Sequence, residues 1–242
     1  MAETNMKIQN IRCCFGDKIF STNDLFNFYR IEEPDIERSL VNWRVYDFVK
    51  KGMLKRMGKG LFKIDDSETY TPIIDDKTKK IFNEIAKNFP FLSCCCWNTS
   101  MLNAFTQHLV NKQMTLVEVD RDGVESVANF LKVKHKNIFF NPSKEVIDNY
   151  LHDLNEAIVV RNLVTESPLL KVGTLNTASL EKILVDMFCD TAIFSFYQGN
   201  ELTHIYKNVM NEFIVNMPKM MRYAKRRGKH DEIKDFIAKN NI

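Results

Sequence analysis

The chain has 242 residues, 45% of them apolar and 27% charged, with a formal net charge of +3. These are the proportions of a soluble globular protein with room for one large core or two smaller ones. No apolar run approaches the roughly 18–20 residues that cross a bilayer, and the opening MAETNMKIQN carries acid and amides without an apolar stretch; no membrane span and no signal peptide are expected, and the cytoplasm is the expected location.

The first clear element begins at Ile19–Asp24, where Ser21 or Thr22 can cap a helix whose Leu25, Phe26, Phe28 and Tyr29 turn inward. A second helix is predicted from Glu33-Pro34, with Pro34 at its first position and Asp35 and Glu37 near the positive end of its dipole. Its buried stripe is Ile36, Leu40, Val41, Val45, Phe48 and Val49, which leaves Arg38, Asn42, Arg44, Tyr46 and Lys50 outside; Trp43 fits either side. The helix closes on Lys50-Lys51-Gly52, and two short apolar strands, MLKRM and LFKI, flank Gly58-Lys59-Gly60. A helix followed by a basic hairpin is the grammar of a winged helix-turn-helix, predicted here over residues 1–66.

Charge agrees with that reading. Between Arg38 and Lys63 stand Arg38, Arg44, Lys50, Lys51, Lys55, Arg56, Lys59 and Lys63 against a single acid, Asp47. Such a concentration suits the phosphates of double-stranded DNA. Arg38, Asn42, Arg44 and Tyr46 on the helix, with Lys55, Arg56 and Lys59 on the wing, are the predicted contacts. Arg and Asn can bond base edges or phosphates.

After Ile64 the segment DDSETYTPIIDDKTKK is polar and acidic, and residues 67–77 are predicted as a linker. Residues 78–242 then read as a mixed α/β domain. Helices are expected at 78–88, 99–110, 123–131 and 143–150, and strands at 89–97, 114–119, 137–140 and 158–163. Beyond Ala178 the pattern is helical throughout: SLEKILVDMFCD, THIYKNVMNEFIV, MPKMMRYAKRRG and HDEIKDFIAKN.

That domain carries no GxGxxG, GxxxxGK[ST], HExxH or GxSxG pattern. The histidines, His108, His135, His152, His204 and His230, have no paired spacing, and each reads as a surface or partly packed residue. Cys13-Cys14, Cys94-Cys95-Cys96 and Cys189 form no CxxC pair, so small buried thiols are expected. No catalytic residue, metal site or cofactor is predicted. Asp120 and Asp122 follow the strand MTLVEV, and with Glu118 they are the metal ligands of an alternative reading, a nuclease or nucleotidyltransferase. The other reading of DRDG is a solvated turn with Asp122 capping the next helix. A ligand-sensing regulator is a third possibility.

Late in the chain Lys219, Arg222, Lys225, Arg226, Arg227 and Lys229 precede any acid, beside Met217, Met220, Met221 and Ala224. A solvated amphipathic helix and an anion-binding surface both account for this pattern.

Three segments together resemble the antitoxins of AbiE-type bacterial abortive-infection systems, classed as type IV toxin–antitoxin pairs. They are the wing GMLKRMGKGLFKI, the helix ASLEKILVD at 178–186, and RYAKRRG at 222–228. The wing is similar to that family's G-x-L-x-R-x-x-x-G-x-Y/F-x-[LI], the helix to its LEKTLVDL-like segment, and the last to its RYAxRRG helix. The stretch FLSCCCW departs from the family's better-known branches and marks a divergent subfamily. The resemblance covers residues 10 to 235. It implies a repressor of its own operon that binds promoter inverted repeats through the winged helix, with two copies able to sit side by side on DNA. It also implies phage defence by neutralising a nucleotidyltransferase-like toxin, for which no direct contact is required. Arg222, Lys225, Arg226, Arg227 and Lys229 are then the expected antitoxicity or anion surface.

Overall fold

The computed structural model describes residues 10–16, 18–65, 68–151 and 153–242. Met1–Gln9, expected to lack a leader, and Ser67 of the predicted linker lie outside them, as does His152. The chain is mixed α/β and divides into two compact units, Met1–Thr69 and Tyr70–Ile242. No helix among the described residues is long and apolar enough to cross a membrane.

In the first unit, helix α1 (residues 10–15) precedes the two-residue strand β1 (Phe20–Ser21), α2 (Thr22–Glu32), α3 (Arg38–Lys50) and the strands β2 (Leu54–Gly58) and β3 (Leu61–Ile64). Ser21 is the cap of α2: its Oγ accepts the Asp24 N–H at 3.1 Å, and the Asp24 carboxylate accepts the Ser21 N–H at 2.7 Å. This reciprocal box satisfies two otherwise orphaned donors. Helix α3 starts four residues later than Pro34 suggests. Glu33 and Pro34 instead enter a turn in which the Ile36 N–H donates to the Glu33 carbonyl, and Ile36 drops into the core. With α3 phased on Val41, Val45 and Phe48, Leu40 lies off the buried stripe and is 41% exposed. Phe20, Leu25, Tyr29, Leu54, Phe62 and Ile64 complete the small core.

The strands order β1-β3-β2, all antiparallel, so β1 closes the hairpin into a three-stranded sheet. The hairpin register shifts between Arg56 and Gly58. Gly60, at φ +71°, makes the turn, and its carbonyl accepts the Thr22 N–H at 3.1 Å, which ties the hairpin tip to the start of α2.

The second unit opens within the predicted linker. Tyr70 packs against Phe105 and Phe213, Ile74 is buried, and Asp75 caps α4 (Asp76–Asn88) by accepting the Thr78 N–H. A four-stranded sheet follows, β4 (Cys94–Asn98), β5 (Gln113–Val119), β6 (Ile138–Phe140) and β7 (Glu156–Asn162), ordered β4-β5-β7-β6. β4 is antiparallel to β5, whereas β5 and β6 both run parallel to β7. The connections carry α5 (Val124–Lys134) and α6 (Lys144–Val146), the latter running into a π turn at Ile147–Leu151.

One expectation is corrected here, and one pair of strands is added. Residues 99–110 do not form one helix: a 3-10 turn spans Thr99–Ala104, after which the Gln107 N–H donates to the Glu201 carboxylate and leads the chain away. A hairpin of β8 (Leu169–Val172) and β9 (Leu175–Ala178) precedes the helices α7 (Leu180–Cys189), α8 (Asn200–Glu212), α9 (Met217–Arg226) and α10 (His230–Lys239). The short strands LLKV and LNTA carry too few residues for a period-2 signal.

The hairpin turn yields a paired prediction. An Ala at Gly60 must adopt a left-handed backbone and will cost the first unit about 1–2 kcal/mol. Ala at Gly58, whose Cβ would meet only Leu61 at 3.7 Å, will stay within about 0.5 kcal/mol of the parent. Urea unfolding followed by Trp43 fluorescence distinguishes the two.

Candidate functional site

On the first unit, α3 turns Ser39, Asn42, Trp43, Tyr46 and Lys50 to solvent, at spacings that form one helical stripe. Trp43 is 61% and Tyr46 66% exposed, a large uncharged aromatic surface. Lys55, Arg56 and Lys59 on the hairpin are also exposed.

Two of the arginines predicted beside them are otherwise engaged. Arg44 folds inward: its guanidinium grips both oxygens of Glu33, at 2.9 and 2.8 Å, and lies over the Tyr29 ring at 4.6 Å. Its side chain is only 11% exposed, so Arg44 is a core clamp and not an outward contact. Its hydrogen bonds to Glu33 outweigh the burial and raise its pKa further. Arg38 is exposed at the start of α3, but it donates to Asn23 Oδ1 at 2.9 Å and stacks on Phe26 at 4.7 Å. Asn42, Tyr46, Lys55, Arg56 and Lys59 remain as the outward members of the predicted set.

In the second unit the dominant electrostatic feature was not expected. Glu118 on β5 and Arg161 on β7 are register partners across the parallel pair, so they stand side by side on one face of the sheet. Lys182 and Asp186, one turn apart on α7, face them, and Asp190 follows at the C-cap of that helix. From α9 come Tyr223 and the C-cap Arg227. Lys182 Nζ reaches Glu118 Oε2 at 2.8 Å and also bonds Asp186. Arg161 reaches Glu118 at 2.8 Å, Asp186 at 3.2 Å and Asp190 at 2.6 Å. Arg227 holds Asp186 and, at 2.6 Å, Asp190, while the Tyr223 hydroxyl donates to Asp186 Oδ1 at 2.8 Å.

Three cations thus meet three carboxylates in a closed network whose centre, Lys182 and Asp186, has no exposure. Burial alone would raise the Asp186 pKa and lower that of Lys182. For Asp186, Lys182, Arg161 and Arg227 outweigh burial and hold the carboxyl below its ordinary value. For Lys182, Asp186 and Glu118 outweigh burial and raise the amine. Burial pushes the Tyr223 hydroxyl up to about 12. Asp186, Lys182 and Tyr223 keep their ordinary charge states near neutrality, each held by its partners. The network is built to hold position.

What it holds is α9. Glu181, beside Lys182, accepts the Asn216 N–H at 2.9 Å, and Asn216 in turn caps α9 through the Lys219 N–H at 3.0 Å. Helix α7 therefore grips α9 at its start through Glu181 and at its end through Asp186 and Asp190. Clamped in this way, α9 buries Met220, Tyr223 and Ala224 and presents Arg222, Lys225 and Arg226 outward. Arg227, expected on that surface, is instead part of the buried network. Arg226 bonds Thr165 at 3.1 Å, and Lys229 pairs with Glu232 at 2.9 Å.

The acids of the metal-dependent alternative do not converge. Glu118 is committed to Lys182 and Arg161, and Asp120 accepts the Ser93 N–H at 2.7 Å. Asp122 lies in the 3-10 turn Arg121–Gly123, and the α5 N-terminus has no side-chain cap. Among the described residues no group of three His, Cys, Asp or Glu side chains is placed to hold a metal. Cys94, Cys95 and Cys96 are buried as expected, but Cys13 and Cys14 are exposed on α1.

Sequence inspection missed the network, although a signal existed. Apart from Glu181, Lys182 and Asp186, the helix LEKILVDMFC is apolar on every side, and such a helix is buried; charged residues within it need buried partners. Arg161 inside the strand EAIVVRN is the same kind of signal. Replacing Lys182 by Met leaves three carboxylates facing only Arg161 and Arg227, an uncompensated buried charge that will cost about 3–5 kcal/mol. The double variant Lys182→Met/Asp186→Leu will recover stability relative to Lys182→Met, because the buried charges are removed together. Denaturant midpoints of the three proteins check this.

The sequence model of one family matches residues 40–242, from within α3 through the hairpin and the whole second unit. No curated protein matches the chain. The match spans most of the chain, which therefore belongs to the family of unknown function DUF6577.

Proposed function

We propose that the chain is a DNA-binding transcriptional regulator whose first unit is a winged helix-turn-helix, with α3 as recognition helix and β2–β3 as the wing. The observation that carries this reading is the outward stripe of α3 beside a hairpin bearing exposed Lys55, Arg56 and Lys59. The order of elements supports it, as does β1 closing the hairpin into a sheet. The tie between Thr22 and Gly60 favours a stiff wing, which loses little entropy on meeting a backbone.

Within that reading the chain acts as an antitoxin of the type IV class, repressing its own operon and protecting against a nucleotidyltransferase-like toxin. Support comes from the two later segments of the resemblance. They lie far apart in sequence, yet LEKILVD and RYAKRRG meet side chain to side chain through Lys182, Asp186, Tyr223 and Arg227. A helix held so firmly is suited to present Arg222, Lys225 and Arg226 to a polyanion or an acidic surface.

A gel-shift titration against duplex from upstream of the gene, beside a scrambled duplex and across about 50 to 200 mM salt, tests the DNA reading. Markedly tighter binding to the upstream duplex is expected, and equal binding to both would remove sequence-specific regulation. Lys59→Ala will weaken binding to every sequence and flatten the salt dependence by about one unit of slope. For the antitoxin role, Arg222→Glu/Arg226→Glu will abolish growth protection when the operon partner is co-expressed, with the thermal unfolding of the chain unchanged. Full protection by that variant would take the α9 surface out of the mechanism.

A further inference from the structure

Resting on the winged-helix reading, we propose that α3 reads A·T base pairs in the major groove, with Asn42 on adenine and the rings of Trp43 and Tyr46 on the 5-methyl groups of thymine.

The argument begins with what α3 has removed from its own reading face. Guanine is read most often by a bidentate Arg or Lys. Arg44 is spent on Glu33, and Arg38 is bonded to Asn23 and stacked on Phe26. Lys50 is exposed but lies in the last turn of α3, whereas base contacts come from the N-terminal part of a recognition helix. Lys50 therefore falls to the phosphates, with Lys55, Arg56 and Lys59.

What remains on the forward part of the face is Ser39, Asn42, Trp43 and Tyr46. Asn is the bidentate partner of adenine N6 and N7. An exposed Trp and Tyr one turn apart cost solubility unless apolar surface meets them, and the apolar group of the major groove is the thymine methyl. The cations of the same unit name the occupant: exposed aromatic rings accompanied by exposed Lys50, Lys55, Arg56 and Lys59 match a methyl-bearing groove bordered by phosphates, not an apolar protein surface.

The test is selection of bound duplexes from a random pool by the full-length chain, followed by replacement of thymine with deoxyuridine in the recovered site. Enrichment of A·T pairs is expected, and each contacted thymine should lose about fourfold in affinity with its methyl, the worth of one methylene-sized group. The double variant Trp43→Ala/Tyr46→Ala should bind the thymine and deoxyuridine duplexes equally, while keeping its salt-dependent affinity for unselected DNA. Tyr46→Phe, which retains the ring, should keep the discrimination. Both positions are mostly exposed, so unfolding temperatures should hold.

A recovered site read through G·C pairs, or deoxyuridine without effect on the parent chain, overturns the proposal while leaving the winged-helix reading intact. So does methyl discrimination that survives in the double alanine variant, or Trp43→Ala abolishing self-association in place of discrimination. If no duplex is enriched at all, sequence-specific binding fails, and the proposal with it.

Discussion

Lys182 enters the second unit as a full charge in a site with no solvent, between Glu118 and Asp186. Desolvating such a group is costly, and attraction to its partners offsets that cost only when the geometry is close and every remaining polar atom is satisfied. The arrangement meets that condition by drawing on two strands and two helices at once. Glu118 and Arg161 must be neighbours across β5 and β7, because a one-residue slip would turn one of them to the opposite face. Lys182 and Asp186 must be one turn apart, and Arg227 must reach them from the end of α9. A network of this kind selects one register and one helix orientation out of many that would bury as much apolar area. Asp190 sits at the C-terminal end of α7, where a negative charge opposes the helix dipole, and Arg161 and Arg227 offset that penalty.

The two units deal with cations in opposite ways. In the second, acids draw Arg161, Lys182 and Arg227 inward, while Arg222, Lys225 and Arg226 of the late basic run face out. In the first, Glu33 captures Arg44, but the hairpin has no acid to neutralise Lys55, Arg56 or Lys59. Positive charge left unpaired on a hairpin that is itself tied down is a disposition for meeting a polyanion, and the proposed DNA-binding role rests on that contrast. Internal pairing also decides the character of the α3 face. By consuming Arg44, Glu33 changes a surface that composition suggests is cationic into one that is aromatic and amide.

Much of the local structure is legible in the sequence. A helix cap at Ser21 or Thr22, the periodicity of Val41, Val45 and Phe48, the Gly60 turn, and the elements α4, β5, α5 and β7 are all encoded in short windows. The failures share one physical origin. Arg44, turned outward by helical phase, and Arg227, counted with the late basic run, are each decided by something outside their helix: the carboxylate of Glu33, and the carboxylates of Asp186 and Asp190. The 3-10 turn that replaces a helix after Thr99 is likewise drawn away by Glu201, a residue on α8.

The sequence by itself determined the class of most elements, the concentration of charge between Arg38 and Lys63, and the absence of any long apolar run, since each depends only on neighbours along the chain. Tertiary structure alone decided which cations are free. Whether an arginine faces water or a carboxylate depends on acids brought to it from tens of residues away, and those pairings exist only once β5, β7, α7 and α9 are packed together.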